Sequence, residues 1–415
     1  MPITKKYTRP EIMCPIRDWA SLEACKDYAD AVYFGLPQLS LRAHAGAITL
    51  KDLGKFVKKC HEHDIRAYLT VNAVVYDRDL GLTEKIIKKA KTEKVDAVIV
   101  WDPWAIEVAR REKMTFFIST QANVSNWRAV EFYKKLGAKR VVLARELSLE
   151  QIKKIHSPPS SKASARRGKT KMELEVFVHG AMCVAISGRC VLSSYLYGTS
   201  ANCGVCAQPC RKEWTMTDPE GKQITTEGQY FLSAKDLRMI EYIPELIKAG
   251  ITSFKIEGRR RDPKYIAVTA RCYREAVDSF FAGNFTRAKA EAWKKELATV
   301  YNRGFSTGFY FSKPGPEGIN YEKADNSAQV KKVLVGHVYR YLPKIGVAEV
   351  KMDHRGLILG DQIIFEGHKT FVEAAVNSMQ KDGQPVQSAK KGESVGIKTA
   401  SPVRVNDKLF VLRDR

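Results

Sequence analysis

From residue 10 to about 280, short β-branched apolar runs alternate with longer stretches whose apolar residues recur every three or four positions. The apolar runs predict eight strands, at 11–16, 31–35, 66–71, 97–101, 115–120, 140–144, 174–179 and 253–257. Between them LKDLGKFVKKCHEHD, LTEKIIKKAKTEK, NWRAVEFYKKLG and SLEQIKKIH carry the amphipathic period of helices packed on a sheet. Eight strand–helix alternations over this length predict an α/β chain folded as a (β/α)8 TIM-like barrel, residues 1–285. The competing arrangement is an open doubly wound sheet, which would bind its ligand where the strand order reverses. A helical segment, FTRAKAEAWKKELATVYNRGFSTGFYF, and a Gly/Pro linker follow, together 286–329. From residue 330 short alternating strands with turn pairs such as Gly360–Asp361 and Asn406–Asp407 predict a small C-terminal β-barrel domain, 330–415.

Two places break this rhythm. SPPSSKASARRGKTK, 157–171, is basic and without apolar period, and reads as a flexible surface insertion before the seventh strand. The stretch 180–235, between strands seven and eight, is too long for an ordinary connection, and long loops in compact domains are usually functional. It holds Cys183, Cys190, Cys203, Cys206 and Cys210, five of the chain's nine cysteines.

Composition sharpens this picture. The N-terminus shows no apolar run of secretory length and nothing in the chain is long enough to span a bilayer, so a cytoplasmic protein without membrane contact is expected. In a reducing compartment clustered cysteines point to metal ligands or redox groups before disulfides. With 69 Lys+Arg against 46 Asp+Glu, the formal charge of +23 attracts polyanions, nucleic acid first. RRRDPK at 259–264, the insertion at 162–171 and KKV at 331–333 are candidate phosphate contacts, and Tyr195, Tyr197, Tyr230 and Phe231 candidate stacking partners. Soft thiolates on one loop suit an iron–sulfur cluster or a zinc ion, between which spacing does not choose. Cys14, Cys25, Cys60 and Cys272 fall on strand or helix patterns and read as core thiols.

Glu175 to Ser193 read E-x-F-x-H-G-A-M-C-x(6)-C-x-L-S, which resembles the signature of the collagenase-like U-thirty-two peptidase family. VYFG with LSLRAHA (32–45), STQANVSN (119–126), RVVLARELS (140–148), YFLSAKDL (230–237) and SFKIEGR (253–259) resemble further blocks of that family and cover nearly the whole barrel. The resemblance is closest to its tRNA-hydroxylating branch. It implies formation of 5-hydroxyuridine at the wobble position of tRNA, a small dicarboxylate, prephenate, as hydroxyl source, and a four-iron (4Fe-4S) cluster on cysteines of this loop. Cys183, Cys190, Cys206 and Cys210 match the family's cysteine positions. Where many relatives read K-D-L-C, this chain has Arg238 after Lys235-Asp236-Leu237; that removes a ligand some of them use and leaves Cys203 as a substitute for Cys210. The family label also carries the rival reading, a peptidase, although H-E-x-x-H and G-x-S-x-G are absent. A third is an RNA-binding partner without activity. A homodimer is the assembly kept open.

Working side chains of such a barrel project from the C-terminal strand ends. That rule nominates Asn72, Asp102, Gln121, Asn123, Arg145, Glu146, His179, Lys255, Glu257 and Arg259, and Glu175 joins them beside the cysteine loop. Arg145, Lys255 and Arg259 are the cations for a dicarboxylate. Gln121, Asn123, Asn72 and Arg259 are candidate substrate contacts, the amides for a flipped base. His179, Glu175, Arg145, Glu146, Lys255 and Glu257 are candidate catalytic groups, His179 as proton carrier. Each charged residue has a plainer alternative in ion pairs that close the barrel.

Overall fold

The computed structural model describes residues 7–41, 47–158, 172–224, 230–321 and 326–415. Most of the 157–171 insertion, and Arg42–Ala45 of the LSLRAHA block, lie outside them. Eight parallel strands close on themselves: β1 (Glu11–Pro15), β2 (Ala31–Gly35), β3 (Arg66–Thr70), β4 (Ala97–Val100), β5 (Phe116–Ile118), β6 (Arg140–Val142), β7 (Glu173–Gly180) and β8 (Ser253–Ile256). Each pairs in parallel with its neighbour, and β8 pairs with both β1 and β7. Every strand is followed by a helix on the outside, so the (β/α)8 expectation holds and the open doubly wound sheet does not.

The strands read as near-continuous apolar runs because both faces are buried. Their outer face packs on the helices in one large core containing Phe34, Phe56, Phe254 and Ile266. The inner face forms a smaller cluster with Met13, Tyr33, Tyr68, Ile99 and Phe117. The helices that pattern predicts appear as Leu53–His61, Leu80–Thr92, Trp127–Lys135 and Leu149–His156, joined by Trp19–Cys25, Pro103–Arg111, Ile243–Lys248 and Pro263–Phe281. Their starts are chemically marked: Asp18, Asp102, Asn126, Ser148 and Asp262 each accept a hydrogen bond from a first-turn backbone N–H. Asp102 is therefore a cap.

Between β7 and β8 the long insertion returns through a short strand, Asp236–Arg238, antiparallel to the end of β7 and parallel to Phe305–Ser306. The helical expectation for 285–311 is met only by Arg287–Leu297. Past it the chain is extended, with Phe305 packed on the barrel and the Tyr310 hydroxyl donating to the Phe177 carbonyl at 2.7 Å. The C-terminal unit is an eight-stranded antiparallel sheet over its own core, which includes Val335, Val350, Phe365 and Leu409. It was expected as a small β-barrel; among the described residues its two end strands do not pair with each other. Gly360 and Asn406 hold the positive φ their turns need. Among the described residues no helix is long and apolar enough to cross a membrane.

Candidate active site

One pocket opens at the C-terminal end of the barrel, where β8 supplies Lys255, Glu257 and Arg259 and the turn after β6 supplies Arg145. Its roof is the cysteine loop, which contributes Cys183, Cys206, Cys210 and Arg211. Among the described residues four cations, Arg145, Arg211, Lys255 and Arg259, face a single lining carboxylate, Glu257. The Arg145 guanidinium lies 3.6 Å from the Phe177 ring centroid, donates to the Ala181 carbonyl at 2.7 Å and meets Glu257 at 3.3 Å. Arg259 donates to Ser40 at 2.8 Å and Thr70 at 2.9 Å and also to the Leu41 carbonyl, so its fork is fixed before any ligand arrives. Lys255 is 4% exposed and its ammonium lies 4.2 Å from the Tyr33 ring centroid. Burial pushes its pKa down, with Arg259 and Arg140 adding to the effect and Glu175 opposing it. Gathered buried cations of this kind bind anions strongly because they are held apart from solvent.

A chain of amides ties the floor to the roof. Asn72 accepts from the Leu41 N–H and donates to Ser119 at 3.1 Å and to the Gln121 carbonyl oxygen at 3.2 Å. Gln121 in turn donates to the Ser187 carbonyl of the cysteine loop at 3.2 Å. Ser187 sits at φ +49°, and it donates its N–H to Glu146 at 2.9 Å and its hydroxyl to Asn123 at 3.0 Å. Asn72 and Gln121 line the pocket as expected; Asn123 and Glu146 do not, and act as clamps on the loop. For Glu146, expected as a catalytic group, the placement is a correction. Its reach across to Ser187 is a tertiary contact that strand position does not show.

His179 and Glu175 also depart from expectation. In β7 Glu175 and Phe177 point inward, and strict alternation would send His179 the same way. The register with β8 shifts between Lys255 and Ile256, so that His179 pairs with Ile256, a residue of the outer core. This bulge turns the imidazole outward among Tyr265, Tyr273 and Phe305, with ring centroids 5.5–5.8 Å away. Burial, with Arg238 adding to it, lowers its pKa to about 3, so it is neutral and dry. Gly180 follows at φ +102°, where a Cβ would lie 2.4 Å from the Glu257 carbonyl oxygen. Glu175 is fully buried below the pocket and accepts from Lys255 at 2.9 Å, Arg140 at 3.1 Å and Ser253 at 3.1 Å. Burial alone would raise its pKa, but Lys255 and Arg140 outweigh this and hold it below the usual carboxylate range. It is the counter-ion of Lys255.

The cysteines divide in a way that spacing left open. Burial raises the pKa of Cys210, Arg211 opposes this, and Cys183, Cys206 and Cys190 raise it further as neighbouring negative charges, so these four thiols share one neighbourhood. Cys203 points elsewhere, 3.9 Å from the Tyr76 hydroxyl. Backbone N–H groups of Ala185 and Leu192 donate to Cys183 and Cys190 sulfur at 3.4 Å, and the Ser193 hydroxyl lies 3.9 Å from Cys206 sulfur. Among the described residues no three His, Cys, Asp or Glu side chains are grouped closely enough to hold a single metal ion. Cys14, Cys25, Cys60 and Cys272 are buried, as expected. Arg211, missed in the sequence, is signalled only by its place beside Cys210; its guanidinium donates to Ser233 at 3.2 Å and to the carbonyls of Ala234 and Met182.

A closed parallel barrel with a preorganised cationic pocket at its strand C-termini defines a barrel enzyme. Residues 18–320 match peptidase family U32, and the chain belongs to that family. It is 43% identical over 410 residues to an uncharacterized protease of Methanocaldococcus jannaschii, covering 97% of this chain and 98% of that one. It is 37% identical to a collagenase of Porphyromonas gingivalis, covering 96% and 97%. It is 32% identical to tRNA hydroxylation protein P1 of Bacillus subtilis, covering 94% and 90%.

Proposed function

We propose that this chain modifies RNA, forming 5-hydroxyuridine at the wobble position of tRNA with prephenate, or a close dicarboxylate, as hydroxyl donor and a four-iron cluster on Cys183, Cys190, Cys206 and Cys210. The observation that carries the reading is one pocket lined both by three of the clustered thiols and by four cations. A relative named for tRNA hydroxylation that aligns over nearly the whole chain supports it. The donor set, four soft thiols on one loop, fits such a cluster, with a tetrahedral zinc ion as the alternative. When bound, the cluster supplies one-electron transfer, tuned by the N–H groups of Ala185 and Leu192.

The chain's own residues do the rest. Arg145 and Arg259 orient the two carboxylates of the donor, and Arg211 adds charge from the roof. Lys255, its pKa lowered by burial, holds a proton at the pocket floor where developing negative charge needs one. Asn72 and Gln121 keep roof and floor in register, so the base and the donor meet in fixed geometry. Among the described pocket-lining residues no histidine stands ready to activate a nucleophile for the peptidase reading. The hydroxyls of Ser119 and Ser187 are spent on Gln121 and Asn123.

Anaerobic purification should yield a brown protein with about four irons and four sulfides per chain. tRNA from a deletion strain, digested and analysed by mass spectrometry, should lack 5-hydroxyuridine-derived nucleosides. Unchanged nucleosides would overturn the reading.

A further inference from the structure

A second basic cavity, about 430 Å³, lies between the barrel and the C-terminal sheet. Its barrel side carries Arg17, just past β1, and Arg260, Arg261 and Lys264, just past β8; its sheet side carries Lys331, Lys332 and Arg415. Among the described residues one side-chain carboxylate, Asp262, lines it, and this group is already committed. It accepts from the Tyr265 N–H at 3.0 Å and pairs with Lys332 at 2.9 Å. Lys332 also meets Glu366 at 2.6 Å, which stitches the two units together, as does the ion pair of Lys264 with Glu373. Arg261 stacks on Tyr301, its guanidinium 3.4 Å from the ring centroid. Arg17, Arg260, Lys331 and Arg415 add to the positive charge of the cleft; Arg260, Lys331 and Arg415 are exposed, and Arg17 is half-buried and pairs with Asp18 at 2.8 Å.

The cleft connects to the chemistry through adjacent residues. Arg259 points into the pocket, while Arg260 lines the cleft and donates to the Cys206 carbonyl at 3.2 Å. A ligand in the cleft therefore lies one residue from the pocket wall and touches the group that positions a thiol.

We infer that this cleft is the docking channel for the phosphodiester backbone of the RNA, with Arg17, Arg260, Lys331 and Arg415 as its phosphate contacts. The inference rests on the RNA-modifying reading above. The chemistry is that of a polyanion: several spread cations and a neutralised carboxylate suit a chain of phosphates better than a small acid, and Val300, Ala328, Val330 and Leu412 complete the lining. The seam also explains why an antiparallel sheet is appended to a barrel that already closes its own active site: it supplies the second wall.

The test is tRNA binding by the intact protein, followed by fluorescence anisotropy across a salt series. The triple variant Arg17→Glu/Lys331→Glu/Arg415→Glu should bind unmodified tRNA about 100-fold more weakly, and its salt slope should fall by roughly 2. Its iron content and its affinity for prephenate should stay at the unaltered protein's level, which also shows that the variant is folded. The control is Lys134→Glu/Lys135→Glu/Lys154→Glu, the same charge change on exposed helix ends at the opposite face, which should bind tRNA within threefold of the unaltered protein. Equal loss in both variants, or none in the first, would overturn the cleft and leave the function standing. Failure of the unaltered protein to bind tRNA at low salt would overturn both.

Discussion

The two ends of the barrel are built from the same residue types and behave oppositely. At the N-terminal end Arg140 meets Glu11 at 2.5 Å, Glu175 at 3.1 Å and Glu173 at 2.7 Å, while Tyr68 donates to Glu11 at 2.8 Å and Ser253 to Glu175 at 3.1 Å. Arg66 also pairs with Glu11 at 2.7 Å and Lys255 with Glu175 at 2.9 Å, so the carboxylates there are matched by cations. At the C-terminal mouth the balance tips, with four cations to one lining carboxylate among the described residues. Lys255 stands between, its ammonium bound to Glu175 while the residue also lines the pocket. Buried charge that is locally neutralised holds a fold together, whereas buried charge left in excess is stabilised only when a ligand of opposite sign arrives. The difference separates scaffold from site without reference to any relative.

The largest effect should come from breaking the neutralised end. Arg140→Met leaves Glu11 and Glu175 as buried anions short of a partner and should cost about 3–5 kcal/mol of stability in urea unfolding. A loss under about 1 kcal/mol would mean that the network is not what holds that end of the barrel. At the mouth the same kind of deletion should spare the fold and hurt binding. Arg145→Gln should shift stability by less than about 1 kcal/mol, yet raise the KM for prephenate roughly 10- to 100-fold, the worth of one charge-assisted contact. An unchanged KM with lowered stability would make Arg145 one more structural cation, like Arg140, and erase the distinction.

Much of this was legible in the chain because it rests on local pattern. Strands buried on both faces show as apolar runs such as AVYFG and AVIV, and all eight were found where those runs lie. The cysteine loop announced itself by density, and Lys255 and Arg259 by their place at a strand end. What stayed hidden depends on register and depth. Alternation rightly puts Glu175 inside the barrel, but not at which level, so a counter-ion looked like a catalytic acid. Alternation alone would put His179 in phase with Glu175, and one bulge in β7 reverses it. Glu146 and Asn123 were placed near the mouth, and only the fold of the cysteine loop shows that Ser187 claims them. The extended path after Leu297 was hidden because its aromatic residues also fit an amphipathic helix.

The smallest effect isolates burial from charge, using an ionisable group that belongs to neither end. His179 has a pKa of about 3 in the folded chain, lowered by burial and then by Arg238, against about 6.5 when unfolded. Above pH 6.5 both forms are neutral and the residue contributes no pH dependence. Below it the unfolded chain takes up a proton that the folded chain refuses, so stability falls by about 1.4 kcal/mol per pH unit until the folded pKa is reached. At pH 5 the loss amounts to about 2 kcal/mol. His179→Phe keeps an aromatic ring among Tyr265, Tyr273 and Phe305 and cannot be protonated, so its stability curve should be flatter than that of the unaltered chain between pH 6.5 and 4. The Arg140 network titrates equally in both proteins, and the difference between the curves therefore belongs to His179 alone. Parallel curves would place the imidazole in contact with water, and with it back among the candidates for proton transfer at the pocket.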